Sequence, residues 1–241
     1  IVNIGDIKKN DTVLEVGPGT GNLTEKILSK NPREIFAIEK DKSLVKKLHE
    51  RFREKIILIN DDILKIDEKK YSNDPMIVFG NLPYNISTQI LIKWIRYNNL
   101  NNTFKKFILM FQKEVAERII AETHEKNYGR LAVISSWKLN IKKVTDVLPN
   151  SFYPIPKVKS TVLLIEPKNE YFNLKNMKNL EHITNIFFNQ RRKMIKKPLN
   201  IIFKNVNEIS KKLNININDR PQNLSSLKYF EICREYENLG S

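Results

Sequence analysis

Four consecutive residues, Asn81-Leu82-Pro83-Tyr84, carry the chemistry that most narrows this chain. An amine on an aromatic base is a poor nucleophile, because its lone pair is delocalised into the ring. Hydrogen-bond acceptors at its two protons help the nitrogen rehybridise toward a tetrahedral geometry. The side-chain oxygen of Asn81 and the backbone carbonyl of Leu82 are two such acceptors. Positive charge develops on the nitrogen as it attacks, and fixed dipoles aimed there stabilise the transition state. Pro83 restricts the backbone so that the Leu82 carbonyl points inward, and Tyr84 offers a ring on which a flipped base can stack. No strong general base is required, since the alkylated amine is acidic. The competing reading is an ordinary proline-containing turn with Tyr84 packed in the core.

A second group of residues stands upstream. Glu15 is followed by Gly17-Pro18-Gly19-Thr20-Gly21. Glycines let a backbone turn sharply and approach a ligand where a Cβ would clash, and a helix beginning at Asn22 and Leu23 would present unpaired amide N–H groups. The spacing is GxGxG, not the GxGxxG of dinucleotide sites. In that form it resembles the turn of S-adenosylmethionine enzymes, whose ligand has a ribose and an amino acid but no pyrophosphate. Glu39 falls 22 residues after Gly17, at the end of a second predicted strand, where a carboxylate can accept both ribose hydroxyls. Lys40 follows it. Asp61-Asp62-Ile63 closes a third strand: Asp62 is placed to accept from the amine of the donor adenine, and Ile63 to pack on its ring. A helix cap or solvated turn is the alternative for these aspartates. Ligands of such sheets bind at the carboxyl ends of strands.

Two further segments point to the substrate. Phe152 lies in the proline-braced run Ser151-Phe152-Tyr153-Pro154-Ile155-Pro156-Lys157, where it is positioned to stack on the second face of a target base. Arg191, Arg192, Lys193, Lys196 and Lys197 form the densest basic cluster, near the end of a predicted helix. Arginines there can grip phosphates bidentately, although a solvated helix end favoured by the helix dipole is the plainer reading. Lys113, Arg118, Arg130 and Lys157 are further candidates for binding phosphate. Aromatic platforms are not evident in the helical part, so shape recognition of a folded RNA is favoured over single-strand reading.

The composition agrees. The chain has 241 residues with 42 Lys and Arg against 27 Asp and Glu, a net charge of +15, which favours a polyanionic partner. Its length allows one sizeable domain with a small accessory one. No run of about 18 apolar residues occurs, so no membrane span is expected, and the opening IVNIGDIKK lacks the pattern of a signal peptide. Cys233 is the single cysteine and the three histidines are dispersed, so neither a disulfide nor a metal cluster is expected.

These residues need a scaffold that brings several strand ends together. Residues 1–167 alternate short apolar runs with helical patterns, as in a parallel sheet covered by helices. The expected strands are 12–16, 35–39, 56–60, 76–79, 107–111, 131–139 and 158–165, and the expected helices 22–30, 42–54, 86–98 and 113–122. A cap for the third helix is expected within Asn85–Thr88. Residues 168–241 read as a small all-helical domain: a connector over 168–179, then helices at 180–196, 205–213 and 225–238. The last would have an apolar face of Leu227, Phe230, Ile232, Cys233 and Tyr236.

Taken together, the segments LEVGPGTGNLTEKI, AIEKD, DDILK, FGNLPYNIST, FQKEVAERI, YGRLAV, FYPIPKVKSTV, FNQRRK and RPQNLS closely resemble the ribosomal RNA adenine dimethyltransferase family, in family order and over almost the whole chain. The resemblance implies an α/β protein: a Rossmann-like seven-stranded methyltransferase sheet with a small helical C-terminal domain. It implies use of S-adenosyl-L-methionine to make N6,N6-dimethyladenine, in the best-known branch on two adjacent adenines of the 3′-terminal hairpin of small-subunit rRNA during ribosome assembly. Gly17, Gly19, Glu39, Asp62 and Asn81 would then contact the donor or lie beside it, and Asn81, Leu82, Tyr84 and Phe152 would bind the target adenine. The expected partner is small-subunit rRNA within a pre-ribosomal particle, met by a monomer that is cytoplasmic or nucleolar, with an organellar location open. Two alternatives on the same fold remain: a macrolide-resistance type that modifies large-subunit rRNA, and a non-catalytic assembly or mitochondrial transcription factor. The family usually begins with a short segment containing a Gln and a Phe-Leu pair; this sequence starts at Ile1, just before the first strand.

Overall fold

A computed structural model describes residues 1–151 and 155–239. Seven strands form one sheet: β1 Thr12–Val16, β2 Glu34–Ile38, β3 Ile57–Ile59, β4 Met76–Asn81, β5 Phe104–Gln112, β6 Leu139–Val147 and β7 Ser160–Pro167. Their order is β3-β2-β1-β4-β5-β7-β6. The first five are parallel, β7 runs antiparallel to β5, and β6 antiparallel to β7. All five residues of β1 are buried, as expected of a parallel strand covered on both faces. Val13, Ile35, Ala37, Ile77, Phe79 and Ile108 meet in the core.

The helices are α1 Asn22–Leu28, α2 Lys42–Phe52, α3 Ser87–Ile95, α4 Leu100–Thr103, α5 Lys113–Ile120, α6 Arg130–Lys138, α7 Met177–Phe188, α8 Lys196–Ile202, α9 Val206–Leu213 and α10 Ser226–Asn238. The chain divides into two compact units. One comprises Ile1–Ala116 with Leu139–Asn169, the other Glu117–Lys138 with Glu170–Ser241. The sequence pattern places Glu117–Lys138 with the sheet. In the structure α6 packs with α7 and α10 instead.

Three local expectations are corrected. Residues 131–139 form helix α6, not a strand. Ala132, Val133, Ile134, Ser135, Trp137 and Lys138 are all buried, and a helix buried on most sides shows no 3.6-residue alternation to distinguish it from a buried strand. The sixth strand is the following segment, a sheet edge with exposed Lys142 and Lys143. Charged side chains protect such an edge from further pairing. Second, no residue of Asn85–Thr88 caps α3 with its side chain. The N-cap is Ile86, and the Ser87 hydroxyl donates instead to the Tyr84 carbonyl at 3.2 Å. Third, the helix predicted over 180–196 ends at Phe188. The basic cluster thus occupies the turn after it and the start of α8. In α10, Phe230, Ile232 and Cys233 are buried with Tyr229, while Leu227 is 53% exposed.

Candidate active site

Strand β1 is followed in the sheet by β2 on one side and β4 on the other, so the strand order reverses between β1 and β4. Such a switch point leaves a crevice at the carboxyl ends of the two strands. The register Val16↔Gly80 puts the glycine turn and the Asn81–Tyr84 turn side by side at that crevice. A Cβ on Gly17 would lie 3.4 Å from the Asn81 carbonyl oxygen.

The three glycines do different work. All have left-handed φ: 71° at Gly17, 59° at Gly19 and 87° at Gly21, a region costly for residues with a Cβ. Gly21 faces inward, where a Cβ would fall 2.4 Å from Phe52 Cε2, so it locks the turn against α2. Gly19 faces open space: a Cβ there would meet nothing within 4 Å. The turn therefore presents bare backbone to whatever enters the crevice. Asn22 and Leu23 open α1 directly after it, Asn22 exposed and Leu23 partly buried.

The acidic residues fall on the ends of adjacent strands. Glu39 accepts the Gly19 N–H at 3.3 Å and the Asp41 N–H at 3.0 Å, which ties β2 to the glycine turn. Asp62 accepts the Leu64 N–H at 3.0 Å and pairs with the Lys40 ammonium at 2.9 Å. The Lys40 hydrogen bond, then the Leu64 amide, hold its carboxyl below the usual range. Ile63 beside it is buried. Asn60, overlooked in the sequence, staples the two strand ends by donating to the Glu39 and Lys40 carbonyls at 2.9 and 3.2 Å.

Glu15 is fully buried in β1. Thr24 donates to its Oε2 at 2.7 Å, whereas its Oε1 has no partner. Burial pushes its carboxyl up to about 7, the Thr24 bond acting in the opposite sense. A buried, half-satisfied carboxylate is costly, which is why burial favours its protonated form.

On the β4 side, Asn81 is the last strand residue and is exposed. The Leu82 side chain is buried and folds back over Gly80, where a Cβ would meet Leu82 Cδ2 at 2.7 Å. A Cβ on Gly80 would thus push the Leu82 or Leu109 side chain aside. Pro83 is exposed. Tyr84 is half-buried, and its hydroxyl shares a 2.6 Å hydrogen bond with Ser160 Oγ of β7. Ser160, which no local pattern marks, fixes the edge of the Tyr84 ring. Phe152 lies outside the described residues.

The basic candidates divide by what they touch. Arg130 donates to Asn185 Oδ1 at 3.0 Å and so is tied to α7. Arg191 donates to Gln222 Oε1 at 3.2 Å and to the Lys126 carbonyl. Lys113 lies 3.8 Å from Asp146. Arg118 and Lys157 are exposed. Arg192, Lys193, Lys196 and Lys197 are exposed around a cleft of about 630 Å³ that also includes Met194 and Arg220. Among the described residues no cluster of His, Cys, Asp and Glu is arranged to hold a metal ion, and no helix is long and apolar enough to cross a membrane.

A seven-stranded sheet of this order, with a glycine turn and acidic strand ends at its switch point, has the Rossmann-like architecture of methyltransferases. A family model described as "Ribosomal RNA adenine dimethylase" matches residues 1–238. The chain is 54% identical to "Ribosomal RNA small subunit methyltransferase A" of Pelagibacter ubique (strain HTCC1062), over 99% of this chain and 91% of that protein. It is 42% identical to the protein of the same name from Ehrlichia ruminantium (strain Gardel), over 97% and 89%. A crystal structure titled as a dimethyladenosine transferase from Plasmodium falciparum superposes with a TM-score of 0.85 at 26% identity, covering 99% of this chain and 94% of that one. The chain belongs to the ribosomal RNA adenine dimethylase family and is an rRNA adenine dimethyltransferase.

Proposed function

We propose that this enzyme uses S-adenosyl-L-methionine to dimethylate N6 of adjacent adenines in the 3′-terminal hairpin of small-subunit rRNA, acting as a monomer on a pre-ribosomal particle. The observation that carries the reading is the meeting of the glycine turn and the Asn81–Tyr84 turn at one switch point, with Gly17 against the Asn81 carbonyl. The names of the curated relatives support the small subunit as substrate.

The crevice suits this donor on three counts. Gly19 leaves open backbone, Glu39 stands across the turn as an acceptor for ribose hydroxyls, and the unpaired Glu15 Oε1 is a buried acceptor for an ammonium or a water bound to it. Asp62 and Ile63 would receive the adenine. When bound, the donor supplies an electrophilic methyl group on a sulfonium. The chain's residues orient the nucleophile: Asn81 and the Leu82 carbonyl accept hydrogen bonds from the two amine N–H groups and face the charge that develops on nitrogen, and the acidic alkylated amine then releases one proton to solvent. Tyr84, held by Ser160, stacks on the base together with Phe152, and Pro83 keeps the Leu82 carbonyl in place. Much of the rate comes from in-line placement.

Radiolabelled S-adenosylmethionine and small subunits lacking the modification test the reading. Label recovered as N6,N6-dimethyladenine at the 3′ hairpin is the expected result. Label only on naked large-subunit RNA would replace the substrate assignment, and no label on either would remove it.

Glu15 predicts a pH dependence. Its folded-state pKa, about 7, lies above the ordinary 4.5, so the protonated carboxyl favours the fold. That contribution is complete below about pH 4.5 and disappears as pH rises through 7, on the order of 3 kcal/mol. Melting curves from pH 5 to 8 should show the parent losing stability relative to Glu15→Gln over this window. S-adenosylhomocysteine should restore more of it to the parent, by stabilising the ionised form. Parallel curves for the two proteins would refute this account of Glu15.

We place RNA phosphates on the exposed basic turn, with Arg191 and Arg130 supporting it from inside their own helical unit. Changing Arg192 and Lys193 to alanine should make the salt dependence of RNA binding shallower by about 0.7–0.9 for each phosphate no longer neutralised. Arg191→Ala should act mainly on thermal stability. An unchanged salt slope in the double variant would move the RNA elsewhere.

A further inference from the structure

The mechanism above leaves a fully buried acid unexplained. Glu68, in the β3–β4 connection, has no exposed side-chain surface, yet it lies on no strand end and touches neither turn of the crevice. Its carboxylate receives donors from three residues of one segment. The Lys93 ammonium lies 2.8 Å from each oxygen, Trp94 Nε1 donates at 2.6 Å and the Tyr97 hydroxyl at 2.5 Å. The Glu68 backbone N–H in turn donates to the Tyr97 oxygen at 3.2 Å. The Trp94 and Tyr97 rings are themselves wedged against Phe104, with centroids 5.9 and 5.5 Å away, and Trp94 packs on Phe107 at 5.0 Å. The acid is therefore fixed to the body of its unit by groups that cannot readily move.

Burying an ion pair is poor evidence of a stabilising purpose, because desolvation offsets the attraction. The geometry supplies another reason. Lys93 has three protons to donate, and two of its bonds go to Glu68. It also donates to the Ile63 carbonyl at 2.6 Å. Inside the turn at Asp62–Lys65, Leu64 N–H donates to Asp62 Oδ1 at 3.0 Å and Lys65 N–H to the Asp62 carbonyl at 2.8 Å; outside it, Asp62 pairs with the exposed Lys40 ammonium at 2.9 Å and the Ile63 side chain is buried. The internal bonds shape the turn, and the Lys40 pair is made by a side chain that is itself mostly exposed and so holds it loosely. The Lys93–Ile63 bond ties the backbone of the turn to α3 through a largely buried ammonium, and Glu68 aims Lys93.

We infer that Glu68 and Lys93 are positioning residues that set donor affinity, by holding the Asp62–Ile63 turn where the donor adenine is read. The inference rests on the donor site proposed above. Neither residue touches the donor; both act through the Ile63 carbonyl.

The test is calorimetric titration of the full chain with S-adenosylhomocysteine and with its N6-deaminated analogue, alongside steady-state kinetics. Lys93→Met should weaken S-adenosylhomocysteine about tenfold, bring the ratio of the two affinities toward one, and leave the RNA KM and the rate at saturating donor within about twofold. Tyr97→Phe removes one donor to Glu68 while keeping its ring on Phe104, and should give a smaller shift in the same direction. It also keeps the test open if Lys93→Met fails to fold. Unchanged ligand affinity in both variants would overturn the inference. So would a loss shared equally by donor and RNA, which would mean general loosening. Glu39→Ala in the same titration separates the two readings. If it weakens the ligand and the Lys93 and Tyr97 variants do not, only the positioning role fails. If the parent itself does not bind the ligand, the donor site fails.

Discussion

Asn81→Ala is expected to lower the single-turnover rate of methyl transfer by about 10²- to 10³-fold, the range seen when one preorganised dipole is removed from a developing charge. Donor affinity, measured by calorimetry, should change only a few-fold. The asymmetry follows from position. Asn81 ends β4 and is exposed at the crevice, and its own backbone carbonyl already lines the floor beside Gly17. Truncating the side chain leaves that backbone, the Leu82 carbonyl and the buried Leu82 side chain in place, so the donor should still find its site while the amine is deprived of one of its two acceptors. Residual activity is expected from placement alone. Turnover equal to the parent would remove Asn81 from the reaction, and a donor affinity that falls as far as the rate would make it a donor ligand.

Glu39→Ala is expected to weaken the donor about 10²-fold with a smaller effect on the rate at saturation. Two charge-assisted hydrogen bonds to ribose hydroxyls are worth roughly 1.5–3 kcal/mol each before the cost of freeing the carboxylate from its present partners. Those partners are the Gly19 and Asp41 amides, so alanine also releases the turn that shapes the pocket. Glu39→Gln separates the two effects. It keeps an acceptor for Gly19 and should weaken the donor only about tenfold. Calorimetry with S-adenosylhomocysteine checks both variants, and an affinity unchanged in Glu39→Ala would place the ribose elsewhere.

The chemistry-bearing segments are legible in the sequence because each is local. TVLEV is a continuous apolar run and forms β1 over the same residues, Thr12–Val16. GPGTG sits at its end, and all three glycines adopt a left-handed backbone in the sharp turn expected there. Parallel strands bring successive carboxyl ends to one side of a sheet, so residues placed at strand ends in the sequence, Glu39, Asp62 and Asn81, fall on one edge without knowledge of any long-range pairing. Where burial erases periodicity, the sequence misleads. The run Leu131-Ala132-Val133-Ile134 of α6 carries no alternation to tell helix from strand, and β6, charged along its exposed edge, carries no apolar pattern strong enough to mark it.

What the chain alone determined, then, is the order of the glycine turn, the acidic strand ends and the Asn81–Tyr84 turn along the strands, because glycine and proline impose their constraints within a few bonds. Only the tertiary structure decided which polar groups are committed to the fold. Tyr84 and Ser160 meet across 76 residues, Glu68 and Lys93 across 25, and Arg191 reaches a carbonyl 65 residues away. An arginine or a glutamate reads the same in sequence whether it faces water or a buried partner. The difference is made by desolvation, which depends on what the rest of the chain packs around it.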